Sequence, residues 1–159
     1  MDCYIRECLK IDIDAIVKLE KSLFEFNYTR EEVEEIFNHV DYEIIVAEKK
    51  EQIVGYAIFK RIRQLDNFIQ ITCIGVAKEH QGQKIGKQLF NAIKKRLQIY
   101  NKYSIYAMIR ETNLEAQLKF RSLGFKATKI LHNYYEIGSK EPAYVMVHKV
   151  KNKILLHDL

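Results

Sequence analysis

The chain has 159 residues, 48% of them hydrophobic, and carries a formal net charge of +5. That length suits one domain with a core needing no disulfide or metal staples, and apolar residues spread along the whole chain exclude a disordered protein. No apolar run nears the roughly 18 residues of a membrane helix, and MDCYIRECLK lacks the apolar stretch of a signal peptide, so a cytoplasmic protein without a membrane partner is expected.

Cys3, Cys8 and Cys73 form no paired motif, which fits buried thiols in a reducing compartment better than disulfides or zinc. His39, His80, His132, His148 and His157 are scattered without i, i+4 pairing, so no metal is expected. Much of the positive charge sits in Lys94, Lys95 and Arg96 and in Lys149, Lys151 and Lys153. A solvated helix face and a solvated tail account for it, and a nucleic-acid surface is the disfavoured alternative.

In chain order, Tyr4 to Cys8 reads as a first strand, and Ile13, Ile16, Val17, Leu19 and Leu23 then recur at helical spacing. Thr29 followed by Glu32 is a capping box opening a second helix with Val33, Ile36, Phe37 and Val40 on its apolar face. YEIIVAE and QIVGYAIFKRI form a hairpin across Lys49 to Glu51, and FIQITCIGV follows a turn near Asp66 and Asn67. Ile85, Leu89, Ile93 and Leu97 then step by four along an amphipathic helix reaching about Tyr100. SIYAMI is strand-like, and Asn113 caps a helix through Leu123 that stops at Gly124. FKATKILHNYYEI and AYVMVHKV, joined by a polar turn with Gly138 and Pro142, end the pattern as two strands. The order β-α-α-β-β-β-α-β-α-β-β implies an α/β fold, a mixed and mostly antiparallel sheet of about seven strands carrying four helices. The helix after the third consecutive sheet strand supplies the crossover that parallel pairing requires. A single domain over residues 1–150 and a short basic tail over 151–159 are expected.

Between FIQITCIGV and the amphipathic helix lies KEHQGQKIGKQLF. A strand leading through a glycine-bearing turn into a helix start presents free backbone N–H groups and a positive dipole end, which suits phosphate or pyrophosphate. Gly82 and Gly86 allow close backbone approach, and Lys84 and Lys87 add charge. On spacing alone a plain connecting turn is an equal alternative. The segment lacks the Gly-Lys-Ser/Thr end of a P-loop and the three-glycine dinucleotide fingerprint, which disfavours ATP and NAD.

Gln81-Gly82-Gln83-Lys84-Ile85-Gly86 resembles the Gln/Arg-x-x-Gly-x-Gly/Ala pyrophosphate loop of the GNAT acetyltransferases. Asn113-x-x-Ala116 and Leu123-Gly124-Phe125 are similar to two further marks of that family. Asn133-Tyr134-Tyr135 and Ala143-Tyr144-Val145-Met146 resemble the last strand pair of RimI-like and related N-terminal acetyltransferases. The resemblance spans about Ile5 to Val150 and implies one GNAT domain holding acetyl-CoA in a splay between the fourth and fifth strands. It implies that the backbone of Ile74, Gly75 and Val76 meets the pantetheine arm. Gln81, Gly82, Gln83, Lys84, Ile85, Gly86 and Lys87 would wrap the pyrophosphate, with Asn113 and Phe120 near the thioester. An N-cap alone also accounts for Asn113. Gln70, Tyr134 and Tyr135 would line the acceptor groove, although β-propensity and packing account equally for either tyrosine taken alone. Phe24, Phe26 and Tyr28 fall where the family builds a substrate wall, and a plain hydrophobic cluster is the alternative.

The chain departs from the family pattern where chemistry is concerned. Lys84 replaces a glycine and can serve if its backbone is right-handed. The usual acid and base positions fall on Gln70, Met108 and Phe120, so neither role carries over. Glu111, just past the fifth strand, and Tyr135 are the candidate catalytic groups, with a solvated loop carboxylate as the alternative for Glu111. An N-terminal α-amine, with a pKa near about 8, is partly neutral at pH 7 and needs less help than a lysine amine at about 10.4. The expected activity is therefore acetyl transfer from acetyl-CoA to a primary amine, most simply a protein or peptide N-terminus, by a monomer or homodimer. A small-molecule amine acetyltransferase, which an acidic cleft near Glu31 to Glu35 would favour, and a non-catalytic acyl-CoA sensor are the alternatives.

Overall fold

The computed structural model describes residues 3–62, 68–99, 104–135 and 141–149. The chain divides into two compact units, Met1–Arg61 with Ile71–Lys95, and Ile62–Gln70 with Arg96–Leu159. The division passes through one strand and one helix.

In the first unit, β1 (Tyr4–Glu7) pairs antiparallel with β2 (Tyr42–Lys49), and β2 with β3 (Gln52–Arg61). The β2–β3 turn is Lys50-Glu51, both at positive φ, the conformation a two-residue hairpin needs to match strand twist. A short 3-10 turn at Lys10–Asp12 leads into α1 (Ile13–Leu23), whose Ile13, Ile16 and Val17 are buried. Thr29 Oγ1 accepts from the Glu32 N–H at 3.2 Å while Glu32 accepts from the Thr29 N–H at 2.7 Å, so the capping box opens α2 (Arg30–Asn38) as expected. The helix ends before Val40, which lies exposed rather than on the apolar face, because only Val33, Ile36 and Phe37 fall within the turns that meet the core. The core joins Ile13, Ile16, Val17 and Val33 with Ile44, Val46, Tyr56 and Ile58.

β4 (Phe68–Val76) and α3 (Ile85–Ile99) carry the chain from one unit to the other. Ile85, Leu89, Ile93 and Leu97 are all buried, as their four-residue step requires.

In the second unit, β5 (Ser104–Arg110) and β6 (Lys126–Leu131) both pair antiparallel with β7 (Ala143–Lys149). α4 (Leu114–Ser122) starts at Asn113, whose Oδ1 accepts from the Ala116 N–H at 3.1 Å. It ends in a Schellman closure: the Phe125 N–H bonds the Phe120 carbonyl, the Gly124 N–H bonds the Arg121 carbonyl, and Gly124 takes φ +91°. Phe120 and Phe125 meet edge to face across that closure at 5.0 Å. β6 is shorter than the pattern suggests. It stops at Leu131 because a turn with Asn133 at φ +53° follows, so Tyr134 and Tyr135 lie outside the strand.

The strand order is β1-β2-β3-β4-β5-β7-β6, one mixed sheet of seven strands in which α3 is the crossover between parallel β4 and β5. Among the described residues the α/β reading, the seven strands and the four α-helices therefore hold. The turn at Asp66 and Asn67, Gly138, and the tail 151–159 with Lys151, Lys153 and His157 lie outside the described residues.

Candidate active site

The loop between β4 and α3 is held by its own side chains. Gln81 Nε2 donates to the Val76 carbonyl at 3.0 Å, and Lys49 Nζ at the end of β2 donates to Gln83 Oε1 at 2.8 Å. Gly82 takes φ +80° with open space where a Cβ would stand, so backbone conformation alone requires glycine there. Lys84 takes φ +63°. The right-handed condition set for Lys84 is not met: the position is left-handed, which is the physical reason a glycine suits it and a lysine is strained.

The Lys84 carbonyl accepts from the Gln88 N–H at 3.0 Å, which makes Lys84 the N-cap of α3. A lysine side chain has only donors, so it cannot cap the first-turn N–H groups as serine or aspartate would. Gln81, Gly82, Gln83, Lys84 and Lys87 are exposed, Gly86 is half-buried, and Ile85 anchors the turn in the core. Positive charge, first-turn amides that have no intrahelical partner and a helix dipole thus meet at one exposed turn, a donor set that fits a diphosphate. Upstream, Ile74, Gly75 and Val76 are buried in β4. The Val76 carbonyl holds Gln81.

In the second unit, Gln70 Oε1 accepts from the Tyr106 hydroxyl at 3.3 Å, and Phe68 packs edge to face on the Tyr106 ring. Burial, with the neighbouring Tyr134, raises the Tyr106 phenol. Tyr134 and Tyr135 touch each other edge to face at 4.9 Å: they lie off the strand expected to run through FKATKILHNYYEI, so no pleat turns them to opposite faces. The Tyr135 hydroxyl donates to the Met108 carbonyl at 3.2 Å, the Arg110 guanidinium lies 3.9 Å over its ring, and burial pushes it up to about 12. Glu111 is exposed in the turn before α4, its N–H bonded to the Pro142 carbonyl at 3.1 Å. Phe120 is buried against Phe125 and has no hydroxyl to offer. Asn113 is exposed and serves as the cap described above.

Three residues that sequence reasoning passed over take part in these networks. Tyr106 has no motif signal beyond a strand aromatic. Glu141, buried, accepts from the Thr112 N–H at 2.7 Å, from the Thr112 hydroxyl and from Arg110 at 3.2 Å. Those bonds, the Thr112 hydroxyl first, hold its carboxyl below the usual range. Glu20 on α1 is fully buried in the first unit. Elsewhere, Glu31, Glu34, Glu35, Asn38 and His39 line a shallow open depression drawn from one helix face and its cap, not a cleft between elements.

The sequence profile described as "Acetyltransferase (GNAT) family" matches residues 13–125, and the chain belongs to that family. An N-alpha-acetyltransferase of Sulfurisphaera tokodaii is 29% identical over 152 residues, covering 89% of this chain and 90% of the relative. Two solved structures share the fold at lower identity. Ard1 from Thermoplasma volcanium superposes with TM-score 0.84 at 21% identity, covering 96% of this chain and all of that one. The ribosomal-protein-S18-alanine N-acetyltransferase from Escherichia coli does so with TM-score 0.80 at 18% identity, covering 96% and 98%. Among the described residues no helix is long and apolar enough to cross a membrane, and no group of three or more His, Cys, Asp or Glu is placed to hold a metal. Cys3, Cys8 and Cys73 form no disulfide.

Proposed function

We propose that the chain is a cytoplasmic, acetyl-CoA-dependent N-acetyltransferase whose acceptor is the N-terminal α-amine of a protein or peptide. The observation that carries it is the left-handed Gly82–Lys84 turn, which opens α3 with a cation in place of a capping acceptor. Family membership and a relative called an N-alpha-acetyltransferase support the reading. Acetyl-CoA supplies an activated thioester. Gln81 to Lys87 bind its diphosphate, the β4 backbone at Ile74 to Val76 orients the pantetheine arm, and Asn113 and Phe120 bound the thioester end. Gln70, Tyr134 and Tyr135 line the acceptor side, and Phe24, Phe26 and Tyr28 form its wall.

Transfer joins the amine nitrogen to the acetyl carbon, breaks the carbon–sulfur bond, and moves one amine proton away while the thiolate leaves. Tyr135, raised to about 12, stays protonated at neutral pH and serves as a donor, not a base. Tyr106, also raised, does the same. Glu141 is committed to Thr112 and Arg110. That leaves exposed Glu111, through water, as the peripheral proton acceptor, an arrangement that favours an amine arriving neutral. At pH 7 about a tenth of an α-amine is neutral, against well under a thousandth of a lysine amine. Purified protein with acetyl-CoA and a panel of free-N-terminus peptides, N-terminally blocked lysine peptides, polyamines and aminoglycosides tests the reading. Transfer to free N-termini above the rest is expected. Preference for a polyamine or aminoglycoside would move the acceptor to the small-molecule class, and no transfer to any amine would leave an acyl-CoA sensor.

A further inference from the structure

Glu20 is fully buried, and nothing in the transfer chemistry uses it. A buried carboxyl is costly unless donors meet both oxygens. Three donors from three separate segments do so. The Tyr28 N–H, in the loop between α1 and α2, bonds Oε2 at 2.9 Å. On Oε1 converge the Tyr56 hydroxyl from β3 and the Cys73 thiol from β4, the latter at 3.0 Å. Tyr56 and Cys73 also touch at 3.4 Å. Burial keeps the Tyr56 hydroxyl far above the ordinary phenol range, so it stays a donor. The Tyr28 side chain reaches the same strand through a hydrogen bond to Thr72.

The result is a fastener with a direction. One oxygen holds the loop that carries Phe24, Phe26 and Tyr28; the other holds the strand whose next residues, Ile74 to Val76, are the pantetheine segment. Phe24 and Tyr28 pack onto the core while Phe26 stands 53% exposed, so the loop offers an aromatic edge to solvent and keeps its place through its inner face. Resting on the reading that this loop is the acceptor wall, we propose that Glu20 is a specificity-positioning residue, its buried carboxyl fixing the loop against β4 and so setting where the acceptor's first side chain can sit.

Amide exchange and kinetics on Glu20→Leu, Glu20→Gln and Tyr56→Phe test this. In Glu20→Leu, exchange at the Tyr28 amide should speed by about tenfold or more, the size of one hydrogen bond to a carboxylate. Acceptor KM should rise on the same scale and the ranking of peptides by first residue should change, while acetyl-CoA affinity stays within about twofold. Glu20→Gln keeps an oxygen for the Tyr28 N–H and should rescue both. Tyr56→Phe removes a donor but leaves the loop anchor, so acceptor KM should hold within about twofold. Unchanged Tyr28 exchange in Glu20→Leu, or acceptor KM and acetyl-CoA affinity worsening together, would overturn the proposal. If Glu20→Leu does not fold, a several-fold rise of acceptor KM in Tyr56→Phe with Tyr28 amide exchange unchanged overturns it equally, since the loop anchor would then be intact. Should the protein acetylate no amine, the functional reading falls, and the exchange measurement still decides the anchor.

Discussion

Lys84 separates backbone strain from charge at one position. A residue with a Cβ held left-handed costs about 1–2 kcal/mol, and a glycine there escapes that cost but loses about 0.5–1 kcal/mol more chain entropy on folding. At φ +63°, Lys84→Gly should therefore be more stable than Lys84→Ala by about 0.5–1 kcal/mol, or roughly 1–4 °C in Tm for a chain of this size. Both substitutions remove the same charge from the mouth of α3. A cation near phosphate at a solvated site contributes about 1 kcal/mol, so acetyl-CoA Kd should rise about fivefold in both, with a shallower salt dependence than the parent. Differential scanning calorimetry of the free proteins and isothermal titration at two salt concentrations give the two numbers separately. A glycine variant no more stable than the alanine variant would refute the left-handed assignment. Unchanged or tighter acetyl-CoA binding in both would refute the phosphate contact.

Gly75→Ala places a Cβ 2.9 Å from Leu23 Cδ1 and 3.0 Å from the buried Tyr56 ring, so denaturant titration should show a loss of about 1–3 kcal/mol; an unchanged midpoint would mean the ring can move. Arg6, bonded to both oxygens of Asp12, holds that carboxyl below its ordinary 3.8. The stability this adds is fully present above that value and lost as pH falls through the lower folded one, so Arg6→Gln should flatten the acid limb of a stability–pH curve. Tyr135→Phe loses the bond to the Met108 carbonyl and should lower turnover modestly without moving the pH–rate profile between about pH 6 and 9, since burial pushes the phenol up to about 12. Glu111→Gln should cost a modest factor, with the rate still rising toward the acceptor's pKa; a sharp loss and an early plateau would identify Glu111 as a positioned base.

What the sequence determined by itself was local. The four-residue step from Ile85 to Leu97, the Thr29–Glu32 box, the Asn113 cap and the Gly124 stop each depend on neighbours within about one helical turn, so their patterns survive in a single chain read alone. The turn at Gly82 before α3 was legible for the same reason, because glycine spacing before a helix is a local signal. Only the tertiary structure decided the rest. Tyr134 and Tyr135 carry strand-forming residue types, yet the Asn133 turn takes them off the ladder, since strand propensity yields to context. Lys84 has a sequence identity that says nothing of its φ, which the closure of the turn onto α3 imposes. Glu20 reads as one more charged helix residue, and Glu141 as part of a polar turn. Their burial became possible through partners 36 and 53 residues away for Glu20, and 29 and 31 away for Glu141. A carboxyl leaves water only where folding brings donors to both its oxygens, and no window along the chain contains that information.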